Sequence, residues 1–187
     1  MALVTNLDTA PVNQAVNGGQ RSVESVASFL RPANATPYAA GDVISDSASV
    51  AAVLEFPLCA ARPGSGGRIL RAHIAHDVNI ATPPDLELYL FHAAPADHLD
   101  NAAMALADAD LPKMHAVYDF TGSAAKVVNA TASPAGALYW LTANAANTHS
   151  FVCEEGTRSL YGLLVTRSVF TPVTGSKWIT ALEMLQD

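Results

Sequence analysis

The chain has 187 residues, of which 50% are hydrophobic and 14% are charged, and its formal net charge is −7. This length suits one domain with a core of its own, whereas a typical soluble domain carries roughly 25% charged residues. The stretch from Asp77 to Asp119 holds eight acids and one base, Lys113, and so accounts for the whole net charge. Because no cluster of Lys or Arg lies elsewhere, nucleic-acid binding is not expected.

The beginning of the chain carries no targeting signal that the sequence reveals. It lacks the basic region and the continuous apolar run of a signal peptide, and no run in the chain has the length of a membrane span. We therefore expect a protein that is made and folded in a cytosol and binds no membrane. Residues 1–20 are rich in Asn, Thr, Ala and Gly without periodicity, which predicts an extended N-terminal arm before a domain over 21–187.

Strand patterns recur from residue 22 onward and are separated by turns rich in Gly, Pro, Asn and Asp. The predicted strands cover 22–30, 42–45, 51–58, 67–79, 85–93, 114–122, 136–144, 149–154, 159–170 and 177–186. Only 100–113 has helical character, enough for a single turn. The crossover helices of a parallel sheet are absent. The sequence therefore predicts an all-β fold, an antiparallel β-sandwich of jelly-roll type.

Alternation within these strands assigns side chains to faces. On the strand 67–79, Leu70, Ala72 and Ile74 share one face, and Arg71, His73 and Asp77 share the other. The predicted core contains Leu70, Ile74, Leu88, Leu90, Leu163 and Val165. The last strand is apolar on both faces, with Trp178, Leu182 and Met184 opposite Ile179, Ala181 and Leu185. One of its faces can fill the core, and the other is left to cover a partner or the arm.

No nucleophile elbow, P-loop or zinc-protease motif occurs in the sequence. The glycines of GSGG at 64–67 open a strand rather than a helix, which predicts a turn and not a phosphate cradle. His73 and His76 point to opposite faces of a regular strand, so they form a metal site with Asp77 only if that strand is bulged. Exposed or edge polar residues are the favoured interpretation.

Carboxylates in 96–101 and 107–112 have the spacing of weak calcium sites, but both segments lack the glycine and the closing glutamate of a calcium loop. Solvated acidic loops are therefore expected. Tyr139 and Trp140, with Trp178, are candidates for a sugar-binding platform. Since neighbouring strand residues alternate, at least one of Tyr139 and Trp140 is expected in the core.

The cysteines, Cys59 and Cys153, either meet across the sandwich or, as favoured, are two buried thiols. No carboxylate spacing points to a glycosidase pair. The sequence thus predicts no enzyme: no catalytic residue, no metal site and no cofactor.

Four segments of the chain carry a resemblance to a known family. They are RPANATPYAAGDVISD at 31–46, LEF at 54–56, GRILRAHI at 67–74 and GTRSLYGLLVTRSVFTPVTGSKWITALE at 156–183. Over about residues 21–187 the chain resembles the capsid decoration, or cement, proteins of tailed bacteriophages. The resemblance implies a viral structural protein of the virion that sits on the outer capsid surface. Its implied partners are the major capsid protein and other copies of itself, as a dimer or trimer.

The arm is the segment for which we predict a partner. Without apolar periodicity it cannot bury enough surface to order itself, but it can add strand hydrogen bonds or fill grooves on a neighbouring subunit. The predicted partner-binding residues are Leu3, Val4, Leu7, Val12 and Val16.

Two other functions fit the same sandwich. A carbohydrate- or receptor-binding module of a phage tail or fibre would group exposed aromatic side chains on one face. A lectin-like or hydrolytic enzyme would need a cleft with converging polar residues.

Overall fold

The structure, a computed structural model, describes residues 21–49, 52–78, 84–120 and 149–187, and the backbone of 126–127 and 137–141. Over these residues all strand pairings are antiparallel, and the one helical element is a 3-10 turn at Leu111–Lys113. This turn agrees with the single helical turn predicted within 100–113. None of the described helical residues forms a helix long and apolar enough to cross a membrane.

The described strands form two sheets. In chain order they are β1 (Arg21–Leu30), β2 (Val43–Ile44), β3 (Leu54–Phe56), β4 (Gly66–His76), β5 (Leu86–Phe91), β6 (Met114–Asp119), β7 (Lys126–Val127), β8 (Ala137–Leu141), β9 (His149–Val152), β10 (Leu160–Thr166) and β11 (Lys177–Gln186). The first sheet has the order β1-β11-β4-β8-β7, with β9 also paired to β4. The second has the order β2-β10-β5-β6, with β3 also paired to β10.

The strand pairs are nested along the chain. From the outermost pair inward, β1 pairs with β11, β2 and β3 pair with β10, β4 pairs with β8 and β9, and β5 pairs with β6. Successive pairs fall alternately in the first and the second sheet. A long antiparallel hairpin wrapped around a barrel axis gives this arrangement, which defines a jelly roll. The predicted fold class is confirmed.

The main core lies between the two sheets. Ala72 and Ile74 from β4 pack there with Leu88 and Leu90 from β5, and all four are buried. The last strand contributes the face that holds Trp178, Leu182 and Met184, while Ile179 and Leu185 on its opposite face are half-buried. Each fully buried Leu or Ile side chain contributes about 1.5–3 kcal/mol of burial free energy, so this layer is the main source of stability.

Leu70 departs from the predicted core. Arg71 pairs with Glu183 and Ile69 pairs with Met184, so Leu70 is the extra residue of a bulge in β4. The bulge shifts the alternation by one residue, which buries Ile69 and leaves Leu70 half-buried. It lies where β4 changes partner from β8 to β9.

Leu163 and Val165 are buried as predicted, but on the outer side of the second sheet. They form a separate cluster with Val43 and Phe91, against which Met104 and Leu106 pack. Residues 92–110, here named the covering segment, supply these last two side chains. The chain thereby closes the outer face of its own second sheet.

The covering segment also hydrogen-bonds to β2 and its surroundings. The Val43 N–H donates to the Ala102 carbonyl at 2.9 Å, and the Asn101 N–H donates to the Val43 carbonyl at 2.9 Å. Isolated antiparallel bridges join Asp42 to Ala103 and Ala52 to His98. The β2 edge of the second sheet is therefore paired with backbone from the covering segment.

Candidate functional site

The predicted partner-binding residues Leu3, Val4, Leu7, Val12 and Val16 lie outside the described residues. The structure does describe β1, the strand into which the arm leads, and therefore shows the surroundings of the point where the arm joins the sandwich.

The histidines of β4 do not converge on one site. His76 is buried, with its ring tilted against Trp178 at a centroid distance of 4.9 Å, while His73 is half-buried on the opposite face. Burial lowers the pKa of both rings. The bulge in β4 falls at Leu70 and not between the two histidines, so they stay on opposite faces. The prediction of exposed or edge positions is wrong for His76.

Two of the acids expected in solvated loops are buried instead. Asp100 is 5% exposed and Asp110 is 3% exposed. The Ala96 N–H and the Lys113 ammonium both donate to the Asp110 carboxylate. The bond from Lys113 is the larger cause of a pKa below the usual range for Asp110. These carboxylates hold the covering segment in place, whereas Asp97 and Asp108 are exposed.

The glycine-rich turn at 64–67 has a packing role. A Cβ at Gly66 would overlap the Phe151 carbonyl, and a Cβ at Gly67 would overlap the Leu185 carbonyl. Only glycine fits where β4 passes this close to β9 and β11.

Trp178 is fully buried in the core, so it does not contribute to a sugar platform. Tyr139 and Trp140 lie in β8, and their side chains are outside the described part of the structure. The large hydrophobic side chains that are exposed among the described residues are Leu, Val and Met. No exposed aromatic group is therefore seen in this part of the chain.

Both cysteines are free, buried thiols. Burial raises the pKa of Cys59 to about 11 and that of Cys153 to about 12. Thiols held protonated in this way are poor nucleophiles and poor metal ligands.

The segment 31–46 is organised around a buried arginine. The Arg31 guanidinium donates to the Tyr38 hydroxyl at 2.5 Å and to the side-chain oxygen of Asn34 at 2.7 Å. It also forms an ion pair with Asp100 at 3.4 Å, and both of these side chains are 0% exposed. The Tyr38 hydroxyl and the Ser45 N–H donate to the same Asp100 carboxylate.

This network joins three parts of the chain. Arg31 directly follows β1, Tyr38 lies in the loop before β2, and Asp100 belongs to the covering segment. The Tyr38 ring stacks on Phe170 with a centroid distance of 4.9 Å. Because its charged and polar groups hydrogen-bond to one another, the network fixes the covering segment against the sandwich. Arg31, Asn34, Tyr38 and Ser45, which belong to the segment 31–46, therefore have a structural role.

Among the residues that the structure describes, β1 is an edge strand. It pairs with β11 through ten consecutive residue pairs and has no described strand on its other side, and its charges, Arg21 and Glu24, lie in its first half. Residues 25–30, SVASFL, contain neither a charge nor a proline. Natural edge strands are usually protected by charges, prolines or bulges, because their free N–H and C=O groups can pair with another chain.

A groove of about 400 Å³ runs beside this edge. Its walls are residues 26–29 of β1 and, from the second sheet, residues 43–46, 52–55 and 162–164. Val26 is 47% exposed and Phe29 is half-buried. At one end the groove is closed by Pro57, whose carbonyl accepts a hydrogen bond from the Ser25 hydroxyl at 2.6 Å.

A second cavity, of about 530 Å³, lies near the opposite side of the sandwich, between the end of β5, β6 and β9. His92 and His115 line it together with residues 150–155. His115 is the extra residue of a bulge in β6 and hydrogen-bonds to the Ser150 backbone. Burial lowers the pKa of His115, and the neighbouring His149 and His92 lower it further.

The described residues contain no group of three or more His, Cys, Asp or Glu side chains that could hold a metal ion. Among the described residues, the surface best suited to binding is therefore the backbone edge of β1, beside a groove with both polar and apolar walls. The sequence pattern locates β1 but not the groove. Residues 25–30 of β1 carry no charge, but only the pairing order shows that β1 is an edge strand near the two very short strands β2 and β3.

No protein-family model matches the chain, and no curated protein sequence matches it. Three solved structures show distant likeness, each at 12% identity. Dimeric latent PorU from Porphyromonas gingivalis gives a TM-score of 0.30, with 90% of this chain covered but 13% of PorU. Israeli acute paralysis virus, heated to 63 degrees as a full particle, gives 0.28, with 99% and 81% covered. Triatoma virus gives 0.25, with 97% and 71% covered.

This chain spans only a small part of the PorU chain that it matches. Structures that share a fold superpose with TM-scores well above those of these three pairs. The three likenesses therefore carry no argument about function, which has to come from the residues of this chain.

Proposed function

We propose that this protein is a non-enzymatic viral structural protein, a decoration or cement protein that binds the outer surface of a tailed-phage capsid and stabilises the head. The observation that carries the proposal is the edge of β1 beside a groove of about 400 Å³: this edge has no neighbouring strand among the described residues and no charge from Ser25 to Leu30. A surface of this kind suits a protein that functions packed against other subunits. The resemblance of residues 31–46 and 156–183 to phage decoration proteins supports the same function.

The low content of charged residues supports the proposal as well, because extensive packed surface requires few charges. The acids exposed between Asp77 and Asp119 suit a surface that faces away from DNA. In this function the major capsid protein and other copies of the chain are the partners, and neither catalysis nor a cofactor is needed.

The test is addition of the purified protein to capsids that lack it, followed by sedimentation. We expect saturable binding and a rise in the temperature at which the capsids break open. A variant without residues 2–20 should bind more weakly, since the arm supplies part of the contact. If the full-length protein does not sediment with capsids at any concentration, the proposal is wrong.

The alternative is a carbohydrate- or receptor-binding module of a tail or fibre. Such a module is expected to expose aromatic side chains, and the described residues expose aliphatic and Met side chains instead. Binding of the protein to host-cell surface glycans but not to capsids would favour this alternative.

A further inference from the structure

The two walls of the groove differ in what covers them. The covering segment pairs with the β2 side, while β1 keeps a free edge among the described residues. We propose that residues 2–7, ALVTNL, of the arm of a neighbouring copy occupy the groove as a strand added to β1. This inference rests on the proposed function and identifies the site at which one copy contacts the next.

The pattern of ALVTNL fits an added strand. In a strand Leu3, Thr5 and Leu7 share one face, and Ala2, Val4 and Asn6 share the other. With the first face toward the groove, Leu3 and Leu7 pack against its apolar residues, which include Phe29 and Val53. Val4 then lies on the outer side beside Val26, which is 47% exposed. The backbone of the segment satisfies the free N–H and C=O groups of β1, as in other cases of strand addition.

The chain's own arm fits the groove less well. Asn17-Gly18 and Gly18-Gly19 are strong hairpin-turn pairs, and they directly precede β1. A two-residue loop at Asn17-Gly18 would place Asp8 opposite Ala27, and one at Gly18-Gly19 would place it opposite Phe29. Both Ala27 and Phe29 face the inside of the sandwich. The Asp8 carboxylate would then enter a groove whose walls already include the exposed acids Asp46 and Glu55, and repulsion between like charges disfavours it. In both registers Leu3 and Val4 lie beyond Leu30, where β1 ends.

The arm of a neighbouring copy is not restricted to these two strand registers, because no short loop joins it to this β1. With residues 2–7 docked, the thirteen residues 8–20 remain to connect them to β1 and span about 43 Å when extended. A domain of this size is about 40 Å across, so this length can reach an adjacent subunit. Docked from outside, the arm places Leu3 and Leu7 in the groove, while Asp8 can remain outside it.

Paired cysteine variants test this arrangement. Val4→Cys and Val26→Cys are made in separate chains, one of which carries a mass tag, and the chains are mixed and oxidised. We expect a disulfide-linked dimer that contains one chain of each kind. Val152→Cys, 60% exposed on β9, replaces Val26→Cys in the matched control and should give no specific product. Cys59 and Cys153 are buried and do not compete.

The double variant Thr9→Cys/Val26→Cys at high dilution separates the two possible sources of the arm, because a hairpin with the Asn17-Gly18 loop would place Thr9 opposite Val26. If it forms an intrachain disulfide while the mixed single variants Val4→Cys and Val26→Cys give no dimer, the groove takes the chain's own arm and the inference is wrong. A variant with Val26→Lys and Leu30→Lys provides a second test. It should unfold like the parent but lose at least tenfold in self-association.

Capsid binding distinguishes failure of this inference from failure of the proposed function. If no cross-link forms but capsid binding still requires residues 2–20, the arm docks on the capsid protein. The inference is then wrong while the proposed function stands. If the full-length protein does not bind capsids, the proposed function itself is wrong. A mixed-chain disulfide between the cysteine variants, together with the loss of self-association in the variant with the two lysines, supports the inference.

Discussion

The β2 edge and the β1 edge lie on the same side of the sandwich, but among the described residues only the β2 edge is paired with another segment of backbone. Beside β2 the chain places its own covering segment, through the 2.9 Å bonds that join Val43 to Ala102 and Asn101. Beside β1 the described residues place no paired strand, although β1 has ten residues and β2 has two. Within the described part of the chain, the edge left without a backbone partner is therefore the longer and more regular one, which is the greater aggregation hazard.

The comparison indicates a division of roles between the two edges. Arg31, the residue that follows β1, holds the covering segment through Asp100, so the anchor of the cover over β2 lies directly next to the strand whose edge has no described partner. If the β1 edge faced solvent in the functional protein, we would expect a protective charge or proline between Ser25 and Leu30. These residues contain neither, which is expected if another chain covers this edge in the functional assembly.

The largest expected effect comes from breaking the anchor of the covering segment. Arg31→Met leaves the Asp100 carboxylate buried without its cationic partner. Removing one member of a buried ion pair costs about 3–5 kcal/mol, and we expect a loss of that size in the free energy of unfolding, measured in urea. Amide exchange at Val43 and Asn101 should accelerate more than exchange in β11.

A matched control is available in the same molecule. Arg71 and Glu183 form an ion pair with the same 3.4 Å separation as Arg31 and Asp100, but their side chains are 39% and 37% exposed. Arg71→Met should cost less than about 1 kcal/mol, because exposed pairs contribute little. Equal losses in the two variants would contradict the anchoring role of Arg31.

A smaller effect is expected from loosening the cover itself. Met104→Ala combined with Leu106→Ala removes the side chains that pack on Leu163 and Val165. Since both are half-buried, the pair should cost about 2 kcal/mol in the free energy of unfolding. Val169→Ala, at a position 72% exposed, should change it by less than about 0.5 kcal/mol. If the double variant is as stable as this control, the covering segment does not stabilise the second sheet.

The anchor also predicts an alkaline limit to stability. Burial and then the hydrogen bond to Asp100 raise the pKa of the Tyr38 hydroxyl far above its usual value. The folded state thus keeps a proton that the unfolded state loses near pH 10, so this contribution to stability is full below pH 10 and falls as the pH rises further.

Tyr38→Phe removes this proton. Between about pH 10.5 and pH 12 its stability should fall less steeply than that of the parent, by about 1.4 kcal/mol per pH unit. Tyr161→Phe, at a less buried tyrosine, serves as the control. The measurement is urea unfolding at a series of pH values, and identical slopes for the parent and Tyr38→Phe would contradict the prediction.

The strands were largely predictable because alternation of apolar residues is a local signal. It located β1, β4, β5, β10 and β11 to within a few residues, and the absence of crossover helices led to the jelly roll. The short β7 was missed, since two residues carry no period. The bulge at Leu70 was missed as well. It arises where β4 changes its partner from β8 to β9, which is a property of the assembled sheet and not of the sequence around Leu70.

The candidate site was less predictable for the same reason. Asp100 lies 69 residues from Arg31, within an acidic stretch that suggests solvated loops. Nothing local to either residue indicates that they meet. The groove likewise depends on how the strands pair. β1 and β2 follow each other in the chain but belong to different sheets, and only the folded structure brings them to the two sides of the groove. The sequence did indicate an arm and an apolar second face, but not the surface that receives the arm.

The smallest expected effect on stability follows from deleting residues 2–20. If the arm docks on another copy, a dilute monomer has no arm in its own groove, and its free energy of unfolding should stay within about 0.5 kcal/mol of the parent value. A hairpin with β1 in the same chain would instead be lost on deletion, together with its buried apolar contacts at about 1.5–3 kcal/mol for each fully buried Leu or Val. Urea unfolding at low protein concentration distinguishes the two cases.

The dependence on protein concentration provides a second measurement. Only the parent should gain stability as the protein concentration rises, because association stabilises the folded state by mass action. A truncated protein that unfolds more easily even when dilute would show that each chain covers its own β1 edge, and the contrast between the two edges would then disappear.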